Sequence, residues 1–297
     1  MKEDETFMPN QQMKENQLSN RHNITKKKLL IPFAILFILS LCIKAYMDTN
    51  TFKVNKLPFY SDKIPDDKAV NILQITDVHN KVFGKSNEEL IQTIKDLNAD
   101  IIVITGDLID RKTTEFNDMF AFVEKLTSVQ KHVYFVTGNH EWDNPKKEEF
   151  LNGLEERQVT ILNNKNRQLT MNQVSLNLVG IDDSSTNHEN VTQAFAGVND
   201  EYYTVLLSHS PNIIEKESSL PADLILSGHT HGGQVRLPFI GALVAPDEGF
   251  FPTYDKGTYN INQNQFLYID SGLGTSVAPI RFLNQSQISM IRVSKRY

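Results

Sequence analysis

The chain has 297 residues, 40% of them hydrophobic and 22% charged, with 30 Lys+Arg against 36 Asp+Glu and a single Cys. That balance belongs to a globular protein and excludes collagen-like, disulfide-scaffold and wholly disordered classes. One Cys forbids an internal disulfide, so the compartment has to be argued from targeting signals.

Residues 1–28 hold six basic and four acidic side chains and no sustained apolar periodicity, which predicts a disordered tail. The rest of the chain is net acidic. That suits sequence-independent nucleic-acid binding poorly, because such binding sets Lys and Arg against phosphates. Leu29 to Ile43 is an uncharged run of 15 residues, and Lys44 can snorkel so that the span extends through Met47. Lys26, Lys27 and Lys28 precede it and place the N-terminus in the cytoplasm by the positive-inside rule. The alternatives are a cleaved signal peptide and lipid attachment at Cys42. A long polar lead without a small-x-small cleavage site weighs against the first. Leu41, directly before Cys42, is a poor fit to the second. Residues 29–47 are therefore read as a single-pass signal-anchor in the cell membrane, and 48–68, with Pro58 and Pro65, as a polar linker. Residues 69–297 are read as one extracytoplasmic domain.

From Ala69 onward short apolar runs alternate with helical patterns, the signature of an α/β architecture. Val70–Thr76 leads into Asp77 and His79, and Asp100–Thr105 into Gly106-Asp107. Between them, Ser86 with Glu89 predicts a capping box before Leu90, Ile91, Ile94 and Leu97. Phe116, Phe120, Val123 and Leu126 stripe the next helix. His132–Thr137 leads into Gly138-Asn139-His140-Glu141, and Pro145 opens a third helix. Tyr203–Ser208 leads into His209, and Asp223–Ser227 into Gly228-His229-Thr230-His231. Ligands of open α/β sheets bind at the carboxyl ends of the strands, so five donor-bearing segments converge on one site.

Imidazole and carboxylate with one amide, and no thiolate, suits Mn, Fe or Zn and argues against a structural Cys-type zinc site. Asp77, His79, Asp107, Asn139, His209, His229 and His231 are seven donors, more than one ion takes from protein. Two divalent ions sharing a carboxylate account for them. The competing view, loop or core histidines, suits His22, His132 and His188, which lack such company. Asp182 and Asp183 read as a turn, and Asp110 with Arg111 as a salt bridge or a substrate contact. Arg236 and Arg281 are candidates for holding a phosphate or, equally, surface ion pairs.

The set Asp77-x-His79, Gly106-Asp107, Gly138-Asn139-His140-Glu141, His209 and Gly228-His229-Thr230-His231 resembles the calcineurin-like metallophosphoesterase superfamily, and within it the membrane-anchored bacterial branch. The likeness extends through Gly232-Gly233-Gln234, Gly272-Leu273-Gly274 and Pro279-Ile280-Arg281. It implies a four-layer α/β/β/α sandwich, preceded here by one transmembrane helix. It also implies one metal on Asp77, His79 and His231, a second on Asn139, His209 and His229, and Asp107 bridging them, with Mn the favoured metal. His140 would be the non-ligand histidine that protonates the leaving group. Many relatives carry Asp where this chain has Glu141, a change outside the ligand set. The implied activity is phosphate-ester hydrolysis by a hydroxide generated at the metal pair. The substrate would be a phosphorylated small molecule. The alternatives are a lipid-linked pyrophosphatase akin to UDP-diacylglucosamine hydrolases and a catalytically silent metal-binding scaffold. The apolar, aromatic tract Pro238–Tyr254 either lines an acyl-chain groove or packs over the sheet edge.

Overall fold

A computed structural model of the protein describes residues 31–246, 249–276 and 278–296. The expected tail at 1–28, the first two residues of the expected anchor, and two positions of the 238–254 tract lie outside the described residues. The chain divides into two units between Ala45 and Tyr46.

Helix α1, Ile31–Asn50, is apolar over 20 residues. At about 1.5 Å per residue it matches the roughly 30 Å of a bilayer's hydrocarbon core. Phe33, Leu36 and Phe37 are each more than 60% exposed, so protein packing does not account for its composition.

In the second unit, strands β1 (Phe52–Tyr60), β2 (Ala69–Ile75), β3 (Ile101–Thr105), β4 (Val133–Val136) and β5 (Thr160–Ile161) alternate with helices α2 (Glu88–Leu97), α3 (Asn117–Val129), α4 (Asn139–Trp142) and α5 (Lys147–Glu156). There follow β6 (Lys165–Met171), β7 (Val174–Gly180), α6 (Val191–Ala194), β8 (Tyr203–Leu207), α7 (Ile213–Lys216) and β9 (Leu224–Ser227). Two short ribbons, β10 (Arg236–Leu237) with β11 (Gly241–Ala242) and β12 (Val244–Ala245) with β13 (Gly249–Phe250), precede β14 (Gly257–Asn262), β15 (Gln265–Ile269) and β16 (Ser286–Ser294).

These strands form two six-stranded sheets, ordered β1-β16-β2-β3-β4-β5 and β14-β15-β9-β8-β7-β6. Period-2 alternation sorts each strand's side chains between two cores. Ile101 and Val103 face the other sheet, where they meet Leu178, Val205, Leu207 and Leu226. Ile102 and Ile104 turn outward onto Leu90, Met119, Val123 and Phe150 of the helices. The second sheet turns Leu206, Ile225 and Leu267 onto Ala194 and Ile213. The result is a four-layer α/β/β/α sandwich. β2 to β5 run parallel, as do β7, β8, β9 and β15, so the carboxyl ends of each group open at one edge.

Two expectations are corrected. Residues 48–68 are not a linker: α1 runs to Asn50, and β1 is a full edge strand paired parallel with the C-terminal strand, Phe52 opposite Ser286. That pairing joins the ends of the domain and leaves no local pattern in the sequence. Ser86 and Glu89 form no capping box either. Ser86 and Asn87 both take left-handed φ, 54° and 61°, and Asn87 has no side-chain cap hydrogen bond. Its Oδ1 accepts instead from the Phe83 N–H at 2.7 Å.

Candidate metal centre

Each strand end turns sharply into the site. Asp77, His79, Asp107, His229 and His231 all have φ between 47° and 70°. Non-glycine residues enter that region at a cost of about 1–3 kcal/mol each, and such outliers cluster where function fixes the backbone. The two sheets touch here: a Cβ at Gly228 would collide with Thr76 Oγ1 and Asp77 Oδ2, and one at Gly138 with Asp107 Oδ1. Both positions therefore demand glycine for close approach.

Asp77, His79 and His231 bring one donor atom each within 4.8 Å of one another, and so do Asp77, Asp107 and His209. His79 Nε2 lies 3.1 Å from His231 Nε2 and 3.4 Å from Asp107 Oδ2. His209 Nε2 lies 3.2 Å from Asp107 Oδ2, from Asn139 Oδ1 and from His229 Nδ1. All seven sequence-predicted donors thus gather around Asp107, which sits between the two groups.

The far nitrogens of two rings have close acceptors. His79 Nδ1 is 2.8 Å from Asp110 Oδ1, and His209 Nδ1 is 2.8 Å from the Thr105 carbonyl. An N–H donated on that side leaves the neutral ring's Nε2 lone pair facing the Asp107 carboxylate. Two acceptors face each other stably only with a cation between them. A proton could serve, and so could a metal. Two donors about 2.1 Å from one ion, at roughly 90–110° to each other, stand about 3.0–3.4 Å apart. The separations among the imidazoles, Asn139 and Asp107 fall in that range, while Asp77 Oδ1 stands farther off, 3.5 Å from His231 Nε2 and 4.0 Å from His79 Nε2; the carbonyl and carboxylate on the far nitrogens are the usual supports of metal-bound histidines. The residues present fit divalent cations.

The electrostatics agree. Burial acts to raise the Asp107 pKa, but His209, with His79 and His140, outweighs it and holds the carboxyl well below the usual carboxylate range. Burial, with His79 and Arg281 close by, pushes the His231 imidazole well below its ordinary value.

His140 opens the one-turn helix α4. Its N–H donates to Asp107 Oδ1 at 3.0 Å, its Nδ1 lies 3.3 Å from Asp110 Oδ1, and its ring meets His79 edge-on. It lines a cavity of about 560 Å³ together with Asp107, Arg111, Asn139, His229 and His231. Val235, Leu243, Val244, Ala245, Pro246 and Ala278 form the cavity's apolar side.

Arg236 and Arg281 stand apart from this cavity. Arg236 pairs with Asp255 at 2.6 Å. Arg281 is fully buried and donates to the carbonyls of Ser271 at 2.5 Å and Gly274 at 2.8 Å, with longer contacts to those of His231 and Asn284. Burial pushes its pKa down to about 10. Its guanidinium contacts go to backbone carbonyls, so a phosphate-holding role is replaced by a structural one. Arg111, left open by the sequence, is the arginine on the cavity wall.

Glu141 is the residue that sequence reasoning passed over. It is fully buried, Oε2 accepts from the N–H groups of Asp107 at 2.9 Å and Gly138 at 2.8 Å, and Oε1 accepts from Ile109. Burial and the Asp107 charge push its pKa up. The signal was present: a carboxylate three residues after Gly138, reaching back to that N–H, is half of a capping box. Asp182 behaves as a turn residue, accepting from the indole of Trp142 at 2.5 Å.

A fold of this kind, closing carboxylates and imidazoles around one edge, defines a metal-dependent hydrolase scaffold. Residues 70–233 match the family model described as calcineurin-like phosphoesterase. The chain is 32% identical over 271 residues to the uncharacterized metallophosphoesterase YkoQ of Bacillus subtilis, covering 89% of this chain and 99% of that one. It is 26% identical to a Danio rerio protein named transmembrane protein with metallophosphoesterase domain, covering 77% of this chain and 54% of that one. Among solved structures, the NAD nucleotidase of Haemophilus influenzae superposes with a TM-score of 0.47 at 17% identity, over 69% of this chain and 46% of that one. The chain belongs to the calcineurin-like phosphoesterase family.

Proposed function

We propose that the protein is a membrane-anchored phosphoesterase that depends on two divalent metal ions, with its hydrolytic domain on the extracytoplasmic side. The observation that carries the reading is the Asp107 carboxylate flanked by imidazole nitrogens of His79 and His209 at the floor of an open cavity. Asp77, His79 and His231 would hold one ion, Asn139, His209 and His229 the other, and Asp107 both. When bound, such a pair supplies Lewis-acid charge to phosphoryl oxygens and water acidified toward a pKa of about 7. Asp110 fixes the His79 ring. His140, with Nδ1 turned to Asp110, keeps Nε2 for passing a proton to the leaving oxygen, a role worth about 10²–10⁴-fold. Arg111 stands where it can meet a substrate oxygen. The length of α1 and the name of the zebrafish relative support the anchor.

One observation favours a second substrate class. The cavity's apolar side is made by the ribbon region, whose Phe239, Ile240, Phe250 and Phe251 are exposed. A lipid-linked phosphate or pyrophosphate would use such a wall, whereas a small soluble ester would not.

The test is metal content and Mn-dependent hydrolysis of nitrophenyl monoester and diester by the detergent-solubilised full chain, with Asp107→Asn and His140→Ala beside it. Two metals with turnover, both lost in Asp107→Asn, establish the enzyme. His140→Ala should keep its metals and lose turnover. Metal without turnover on either ester, but with turnover on a lipid pyrophosphate, selects the second class. A chain that binds no metal overturns the reading.

A further inference from the structure

The last turn of α1 reaches the metal centre through buried polar contacts. Asp48 is 1% exposed and Thr49 9%, and both belong to the same unit as the sheets. The Arg281 N–H donates to Thr49 Oγ1 at 2.9 Å, across 232 residues of chain, and the Asn284 N–H reaches Asp48 Oδ2 at 3.3 Å. Arg281 and Asn284 are in turn the residues that hold the site's backbone from behind. Asn284 Nδ2 donates to the His231 carbonyl at 2.7 Å. Arg281 grips the carbonyls of Ser271 and Gly274, and the Gly274 N–H donates to the Asp77 carbonyl at 2.6 Å. Two short relays therefore run from residues 48 and 49 to two donors of one metal group, Asp77 and His231.

We infer that Asp48 and Thr49 are positioning residues for the Asp77–His79–His231 metal site, so that the end of the apolar helix is a working part of the hydrolytic unit. The inference rests on the metal-centre reading above. The physical reason is the direction of the backbone groups. The carbonyls of His231, Ser271 and Gly274 turn inward, and the Arg281 guanidinium and the Asn284 amide donate to them. A buried guanidinium finds those carbonyls only if its own backbone is fixed, and Thr49 Oγ1 fixes it. Asp48 adds negative charge beside the buried Arg281 guanidinium, together with Asp77 and Asp270. A chain cut after Asn50 to remove the helix loses both residues and, with them, the support of one metal group.

The experiment uses the full chain in detergent or nanodiscs, with Thr49→Val, Thr49→Ser and Asp48→Asn. Thr49→Val keeps shape and removes the acceptor, and Thr49→Ser restores it. Mn binding is read by calorimetry, and the Co-loaded chain by its visible absorption. Parent and Thr49→Ser should bind two ions alike. Thr49→Val should weaken one of the two by about 10–100-fold, the usual scale for losing an outer support, with a changed Co spectrum. Asp48→Asn should do so to a smaller extent. Parent-like affinities and spectra in Thr49→Val overturn the inference alone. So does equal weakening of both ions that Thr49→Ser fails to rescue, since that marks general loosening of the fold. A parent chain without metal overturns the functional reading and this inference together.

Discussion

The two sheets supply their shares of the proposed metal centre in opposite electrical fashion. The first sheet sends Asp77, His79, Asp107 and Asn139 from the ends of β2, β3 and β4, and the loops after β3 and β4 are tied from behind by a buried carboxyl group. Glu141 collects the inward N–H groups of Asp107, Gly138 and Ile109. The second sheet sends only imidazoles, His209, His229 and His231, and the chain beyond β9 and β15 is tied by a buried cation. Arg281 collects the inward carbonyls of Ser271 and Gly274. The difference teaches that a ligand in left-handed backbone exposes peptide groups to the interior. Whether N–H or C=O faces inward then decides the sign of the side chain needed behind it.

The comparison breaks first at Arg281. Arg281→Met fills the volume but orphans two well-made carbonyl bonds, at about 1–3 kcal/mol each, and should lower the thermal midpoint of the metal-free chain by about 5–20 °C. A midpoint within a degree or two of the parent would show that Arg281 is no tie. Next comes Glu141→Gln, which keeps shape and puts an amide N–H where a carboxylate accepted. Charge-assisted bonds are worth about 1.5–3 kcal/mol, and Mn affinity should fall about 10–100-fold. Glu141→Asp should retain more affinity than Gln. The reverse order would make side-chain length, not acceptance, the important property.

Asp110→Asn sharpens the picture from the other side, because an amide oxygen can still accept from His79 Nδ1. Its Mn affinity should drop only about 10-fold, read by competition with a chelating dye. The smallest effect belongs to Arg111, which is exposed and 3.4 Å from Asp143. Arg111→Ala should leave stability unchanged within about 0.5 kcal/mol and raise KM with kcat retained. An unchanged KM would return Arg111 to the role of surface ion pair.

Much of this was open to reading without coordinates, for a definite reason. β2, β3, β4, β8 and β9 are buried on both faces and parallel, so they read as continuous apolar runs, and the residue after each run is where such sheets bind ligands. Local chemistry at helix ends was read less well. The Ser86–Glu89 pattern formed no box because the backbone there is left-handed, while Gly138–Glu141 formed half of one unremarked.

By itself the sequence pointed to the layer class, to seven candidate donors and His140, and to an apolar segment of spanning length, because each is legible in contiguous residues. Only the tertiary structure decided that Glu141 and Arg281 are ties behind the ligand loops, that β1 closes the first sheet beside β16, and that Asp48 and Thr49 reach the site. Those assignments depend on pairings as far as 236 residues apart. No local pattern encodes such a pairing; it exists only once the layers have packed.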